Sequence, residues 1–139
     1  MKEIVELHLA SNLGSEKIAI EKAESLAKKM GFSADRIEDL KTAVAEACIN
    51  AMEHGNKFDQ DTKVGVILTA NTTSLRIAVH DQGTGINPEN IPEKRTDDSG
   101  LLRKRGHGIF IIKKLVNEFS YEAKQGEGNN VTIIIHLNK

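Results

Sequence analysis

The spacing of apolar residues changes near the middle of the chain, and this change limits the folds that are possible. Between residues 15 and 55, apolar residues recur about every 3.6 positions, as on one face of an amphipathic helix. Beyond it they alternate, as in Val64, Val66 and Leu68, which indicates a half-buried strand. Helices and strands in such separate runs predict a layer of helices packed on a sheet.

The same patterns place the individual elements. Predicted helices cover 15–30, then from the N-cap Ser33 to about His54 or Gly55, and about 108–118. Predicted strands cover 3–10, 64–68, 75–79, 119–124 and 131–137, and the polar linker "NTTS" joins the second and third as a hairpin. The predicted fold class is α+β: a two-layer α/β sandwich, mainly antiparallel, with helices on one face, in one domain over 1–139.

Charge and composition narrow the class of function. Lys and Arg number 19 against 20 Asp and Glu, so the formal net charge of −1 gives no overall field that would attract nucleic acid or an anionic membrane. The N-terminus lacks the apolar run of a signal peptide, and no stretch approaches membrane-spanning length, so we expect a cytoplasmic protein. The single cysteine, Cys48, is better interpreted as a small core residue than as a catalytic thiol.

The stretch "AVAEACINAMEHG", residues 43–55, ends the second predicted helix. Glu46 and Asn50 are four positions apart and therefore share one helical face. An Asn carbonyl oxygen suits a hard cation such as Mg²⁺, and Glu can act as a base. A polar, solvated helix face is the alternative. His54 is interpreted as a pocket-lining or capping residue, since the histidines show no zinc-ligand spacing.

Two glycine-containing motifs follow. In "VHDQGTGI", residues 79–86, Asp81 ends a strand and could accept a hydrogen bond from an exocyclic amine such as that of adenine, or the motif could be only a glycine-rich turn. In "RGHGIFIIKKL", residues 105–115, two glycines stand just before a predicted helix, whose N-terminus suits a phosphate. A flexible helix cap is the alternative there. The long, charged stretch between the motifs is typical of a functional lid or a disordered loop.

The order of these motifs resembles that of the GHKL superfamily of ATP-binding proteins, which includes gyrase and histidine kinases. "EACINAMEHG" is similar to the N box of that superfamily, "DQGTGI" to its G1 box and "GHGIFIIKKL" to its G2 box. The resemblance implies the Bergerat, or histidine-kinase-like, ATPase fold with an ATP lid at about 86–105.

The resemblance also implies roles for single residues. Asn50 would ligate Mg²⁺, Glu46 would accept the proton of a substrate serine, and Asp81 would contact the adenine amine. The other implied nucleotide contacts are Gly83, Gly85, Ile86, Lys104, Gly106, His107 and Gly108. Arg105 is implied as a catalytic residue that stabilises charge on the transferred phosphoryl group, a role that Lys104 could share.

Within the superfamily, "EACINAMEHGN" is most similar to the small anti-sigma-factor serine/threonine kinases of the Bacillus type. This resemblance implies a homodimer that binds ATP and Mg²⁺, holds a sigma factor, and phosphorylates a serine on an anti-anti-sigma, STAS-like protein. It implies no direct contact with nucleic acid or membrane. The alternatives are an ATP-gated binding module that sequesters a regulator without phosphoryl transfer, and a stand-alone ATPase.

Overall fold

A computed structural model describes residues 2–82, 106–124 and 128–137 of the 139-residue chain. In chain order the elements are β1 (Glu3–Ala10), α1 (Glu16–Met30), α2 (Ala34–Asn50), a π-helical turn (Ala51–Gly55), β2 (Lys63–Ala70), β3 (Ser74–His80), α3 (Gly106–Leu115), β4 (Glu118–Lys124) and β5 (Gly128–His136). The predicted lid lies outside the described residues. No helix within these ranges is long and apolar enough to cross a membrane.

The five described strands form one sheet in the order β1-β2-β3-β5-β4, and every neighbouring pair is antiparallel. Apolar residues face one another across the register: Val66 lies opposite both Leu7 and Val79, and Val79 lies opposite Val131. Alternation along each strand therefore gathers the apolar side chains on one face of the sheet.

The three helices cover that face. Helix α2 packs against both α1 and α3. Ala43, Ala47 and Cys48 of α2 are fully buried, and their small side chains let the helix lie close to its neighbours. The predicted α+β class, with helices on one face of an antiparallel sheet, is confirmed.

The helix ends follow from local sequence. Gly31 ends α1 in the left-handed conformation, at φ +97°, which is the usual C-cap geometry of glycine. Ser33 caps α2, and its hydroxyl accepts a hydrogen bond from the Arg36 N–H at 3.3 Å, as predicted. The Arg36 guanidinium donates to the carbonyl of His136 at 2.6 Å and to Asn117 Oδ1 at 2.8 Å, which ties α2 to the far edge of the sheet.

Both ends of α3 and the start of β5 differ from the prediction by two or three residues. Helix α3 begins at Gly106 rather than near Gly108, so both glycines lie inside its first turn instead of before it. The low helix propensity of glycine hides such a start in the sequence. The helix also ends at Leu115, and β5 begins at Gly128 rather than at Val131, because asparagine is uncommon in strands and masks the strand's first residues.

Candidate functional site

Buried polar side chains gather where β3 ends, β5 begins and α2 passes beneath the sheet. Asn50 is 8% exposed, Asp81 6% and Asn129 3%. Asn50, Asp81 and Asn129 line a cavity of about 20 Å³ together with Gly55 and Tyr121. A cavity of this volume can hold a water molecule.

The Asp81 carboxylate is held by Asn129 and, behind it, by Tyr121. Asn129 donates to Asp81 Oδ1 from its side chain at 2.8 Å and from its backbone N–H at 3.2 Å, and the Asp81 N–H donates to the Asn129 carbonyl at 3.0 Å. The Tyr121 hydroxyl donates to Asn129 Oδ1 at 3.0 Å. A buried carboxylate needs such donors, and this chain of hydrogen bonds fixes its orientation.

Two glycines leave room for Asp81. A methyl group at Gly55 would overlap the Asp81 carboxylate, and one at Gly128 would overlap the Asp81 backbone carbonyl. Gly128 also has φ +90°, a conformation that favours glycine. Both positions therefore exclude side chains so that Asp81 can sit between the end of α2 and the start of β5.

The end of α2 brings Glu46 and Asn50 to this region. Glu46 is half-buried, and the following residues, Ala51–Gly55, form a π-helical turn. Such turns are rare and often mark functional sites. The helical stretch therefore ends at Gly55 as predicted, although its π geometry was not foreseen.

Asn56 fixes the chain just beyond Asp81. Its side-chain oxygen accepts the N–H of Gln82 at 2.7 Å, while its Nδ2 donates to the Ser11 hydroxyl at 2.9 Å and to the Lys63 carbonyl at 3.1 Å. One buried amide thus connects the exit of β3 to the ends of β1 and β2. Asn56 thus holds Gln82, which begins the segment that leads toward the predicted lid.

Helix α3 supplies the other wall. Ile109 is 2% exposed and lines the same cavity as Asn50 and Asp81. The first turn of α3, Gly106–Ile109, therefore lies beside the cavity, and the first four N–H groups of a helix have no acceptor inside it. These N–H groups and the positive end of the helix dipole suit an anion.

Five of the predicted site residues lie outside the described residues: Gly83, Gly85, Ile86, Lys104 and Arg105. Of the others, Asn50 and Asp81 line one cavity, and Gly106, His107 and Gly108 lie in the adjoining first turn of α3, whereas Glu46, one helical turn before Asn50, is not among the residues that line the cavity. Their functional roles stay predictions.

The described residues fit a nucleotide with a bound Mg²⁺. They contain no cluster of three or more His, Cys, Asp or Glu side chains that could hold a metal by itself. Mg²⁺ at phosphate sites typically takes only one or two protein ligands, with phosphate oxygens and waters completing its octahedron. Asn50, buried beside the cavity with its Nδ2 unpaired among the described residues, offers one such oxygen ligand.

Sequence reasoning missed Gly55, Asn56, Tyr121 and Asn129 as site residues. Asn129 carries the clearest signal in retrospect, since it opens a strand although asparagine disfavours strands. Its contact with Asp81 spans 48 positions of the sequence, however, and no local pattern reveals such a pairing.

Comparison with known proteins gives a consistent result. Residues 9–135 match the model of the histidine kinase-like ATPase domain. The chain is 36% identical over 110 residues to the serine-protein kinase RsbW of Bacillus licheniformis, covering 73% of this chain and 66% of that protein. It is 30% identical over 119 residues to the serine-protein kinase RsbW of Listeria innocua serovar 6a, covering 82% of this chain and 74% of the relative.

Solved structures agree on the fold. The RsbU and RsbW domains of Rv1364c from Mycobacterium tuberculosis superpose with a TM-score of 0.65 at 18% identity, covering 97% of this chain and 32% of that one. The mycobacterial sensor histidine kinase MprB superposes with a TM-score of 0.59 at 19% identity, covering 98% of this chain and 97% of that one. The described elements thus form the fold that the sequence motifs implied.

Proposed function

Because the chain belongs to the histidine kinase-like ATPase domain family, we propose that it is an ATP-dependent serine-protein kinase that acts as an anti-sigma regulator. One observation carries the proposal: Asp81, held by Asn129, shares a cavity with Asn50 in a chain 36% identical to a serine-protein kinase. The chain spans 66% of the length of that relative, so substrate and partners belong to the proposal.

In this proposal Asp81 selects adenine. Its carboxylate accepts a hydrogen bond from the exocyclic amine of the base, and Asn129 keeps it oriented for that contact. Guanine has a carbonyl oxygen in place of that amine, and this oxygen would be repelled by the carboxylate. Gly83, Gly85 and Ile86 contribute the remainder of the adenine pocket.

The phosphates extend toward α3. The N–H groups at Gly106, His107 and Gly108 donate to phosphate oxygens, and Arg105, with Lys104, stabilises the charge of the transferred group. Asn50 holds Mg²⁺ through its carboxamide oxygen. The metal, when bound, neutralises charge on the phosphate oxygens.

Glu46 is the proposed general base. It accepts the proton of the substrate serine hydroxyl as the serine oxygen bonds to the γ-phosphorus, while the bond from that phosphorus to the β,γ-bridging oxygen breaks and ADP leaves. Glu46 precedes Asn50 by one helical turn, so base and metal ligand share one helix edge.

The proposed partners are a sigma factor and an anti-anti-sigma, STAS-like protein that carries the target serine. The proposed state is a cytoplasmic homodimer. Sedimentation should then give twice the 15.3 kDa mass of one chain. A mass of one chain would contradict the dimer without affecting the assignment of the site.

Incubation with γ-labelled ATP, Mg²⁺ and a STAS-like protein from the same genome tests the activity. We expect phosphoserine on the STAS-like protein, and Glu46→Gln should abolish transfer while leaving ATP affinity within about twofold. Phosphate release without protein labelling would indicate an ATPase. Nucleotide-dependent capture of the partner without labelling would indicate an ATP-gated binding module.

A further inference from the structure

Two buried polar atoms at the end of α2 lack a hydrogen-bond partner among the described residues: Nδ2 of Asn50 and Nε2 of His54. Asn50 is 8% exposed, and the His54 side chain is 10% exposed. A buried polar atom without a hydrogen-bond partner destabilises the folded state. Two of them on one helical stretch therefore call for a physical explanation.

The two atoms are chemically complementary. The Asn50 Nδ2 group can only donate, whereas Nε2 of a neutral histidine accepts when the ring proton is on Nδ1. His54 follows Asn50 by four positions, about one turn of the π-helical stretch Ala51–Gly55, so the two side chains leave the helix on neighbouring sides. A hydrogen bond from Asn50 Nδ2 to His54 Nε2 would satisfy both nitrogens at once.

A competing partner lies nearby. Oε1 of Glu53 is 3.8 Å from His54 Nε2, which is within ion-pair reach but beyond hydrogen-bond distance. A closer approach of Glu53 would favour a proton on Nε2 and turn that atom into a donor. The two arrangements place the ring proton on different nitrogens and can be distinguished by experiment.

We propose that His54 is a positioning residue for Asn50: its Nε2 accepts a hydrogen bond from Asn50 Nδ2 and thereby turns the Asn50 carboxamide oxygen toward Mg²⁺. This inference rests on the proposed function, since it requires Asn50 to be a metal ligand. Residues that hydrogen-bond a metal ligand fix its orientation, and their loss typically weakens metal binding 10–100-fold. His54 itself contacts neither metal nor nucleotide in this arrangement.

Two substitutions separate this role from simple packing. His54→Leu removes the acceptor, whereas His54→Gln keeps one in its carboxamide oxygen. ATP affinity is measured by calorimetry with Mg²⁺ and with EDTA. With Mg²⁺ present, we expect His54→Leu to bind ATP about tenfold more weakly than the unaltered chain does. In EDTA the two ATP affinities should be equal. His54→Gln should keep most of the ATP affinity that Mg²⁺ adds. The matched control His8→Leu, at an exposed histidine, should behave as the unaltered chain.

Nitrogen-15 NMR of the histidine rings tests the hydrogen bond without any substitution. In the unaltered chain loaded with Mg²⁺ and a non-hydrolysable ATP analogue, we expect His54 to carry its proton on Nδ1. If His54 carried its proton on Nε2, or if Mg²⁺ raised the ATP affinity of His54→Leu as much as that of the unaltered chain, this inference would be wrong and the proposed function would stand. Failure of the unaltered chain to bind ATP would overturn the proposed function and this inference together.

Discussion

At the scale of single residues, the orientation of Asp81 depends on one amide. Asn129 provides two hydrogen bonds to the same carboxylate oxygen, and Tyr121 fixes the amide from the other side. The carboxylate thus points in a fixed direction before any ligand binds, and such preorganisation lowers the entropic cost of recognition.

Removal of that amide should weaken adenine recognition. We expect Asn129→Ala to reduce ATP affinity about tenfold, because the buried carboxylate loses its side-chain donor and keeps only the backbone N–H of residue 129, and Tyr121→Phe to reduce it by a smaller factor. The neighbouring Asn130→Ala, on the half-buried open face of β5, is the matched control. Equal affinities for Asn129→Ala and Asn130→Ala, measured by calorimetry, would rule out the orienting role.

Cys48 should make the free energy of unfolding fall as the pH rises into the alkaline range. Burial, with a smaller contribution from Glu16, raises the pKa of its thiol from 9.0 to about 12. The unfolded chain releases this proton near pH 9, whereas the folded chain holds it to about pH 12. The contribution of the thiol to the free energy of unfolding is therefore fully present below pH 9 and is lost as the pH rises toward 12.

Comparison with Cys48→Ala isolates this effect from the titration of other groups. Between pH 9.5 and 11, the unaltered chain should lose about 1.4 kcal/mol more unfolding free energy per pH unit than Cys48→Ala, as measured by urea denaturation. Parallel pH profiles of the two proteins would show that the thiol does not titrate differently in the folded and unfolded states.

At the scale of elements, the π-helical turn matters because it ends at Gly55. This residue packs directly against the Asp81 carboxylate, so the turn joins the end of α2 to the end of β3. A π-helical turn contains more residues than an α-helical turn, so it alters the directions of the side chains that follow Asn50 and determines which of them face the site.

Gly55→Ala should damage the site with little effect elsewhere. The added methyl group would displace the Asp81 carboxylate, so we expect ATP affinity to fall at least tenfold while the far-ultraviolet circular dichroism stays unchanged. Gly65→Ala is a matched control, because a methyl group there meets no atom within 4 Å. Similar ATP affinities in the two variants would contradict the proposed packing of Gly55 against Asp81.

The same elements show what a sequence can and cannot predict. Alternation in Val64–Leu68 and the cap at Ser33 are local patterns, and both gave the correct element. The start of α3 was misplaced because Gly106 and Gly108 weaken the helical signal. The π-helical turn was missed because the same residues suit an α-helix equally well. Asn129 was missed because its partner, Asp81, is 48 positions away.

At the scale of the whole molecule, the candidate site spans both layers. Asp81 and Asn129 belong to the ends of sheet strands, whereas Asn50 and Ile109 belong to helices α2 and α3. A ligand bound there contacts the helical layer and the sheet together. Its binding energy therefore opposes separation of the layers and should stabilise the complete fold.

ATP should consequently raise the melting temperature of the chain. A ligand that binds only the folded state adds about 2.7 kcal/mol at 100 times its dissociation constant, which for a domain of this size corresponds to roughly 5–10 °C. GTP at the same concentration should give a much smaller shift, because its guanine carbonyl cannot donate to Asp81. Thermal unfolding followed by circular dichroism measures both shifts. Equal stabilisation by ATP and GTP would contradict adenine selection by Asp81 and leave phosphate binding beside α3 as the main contribution.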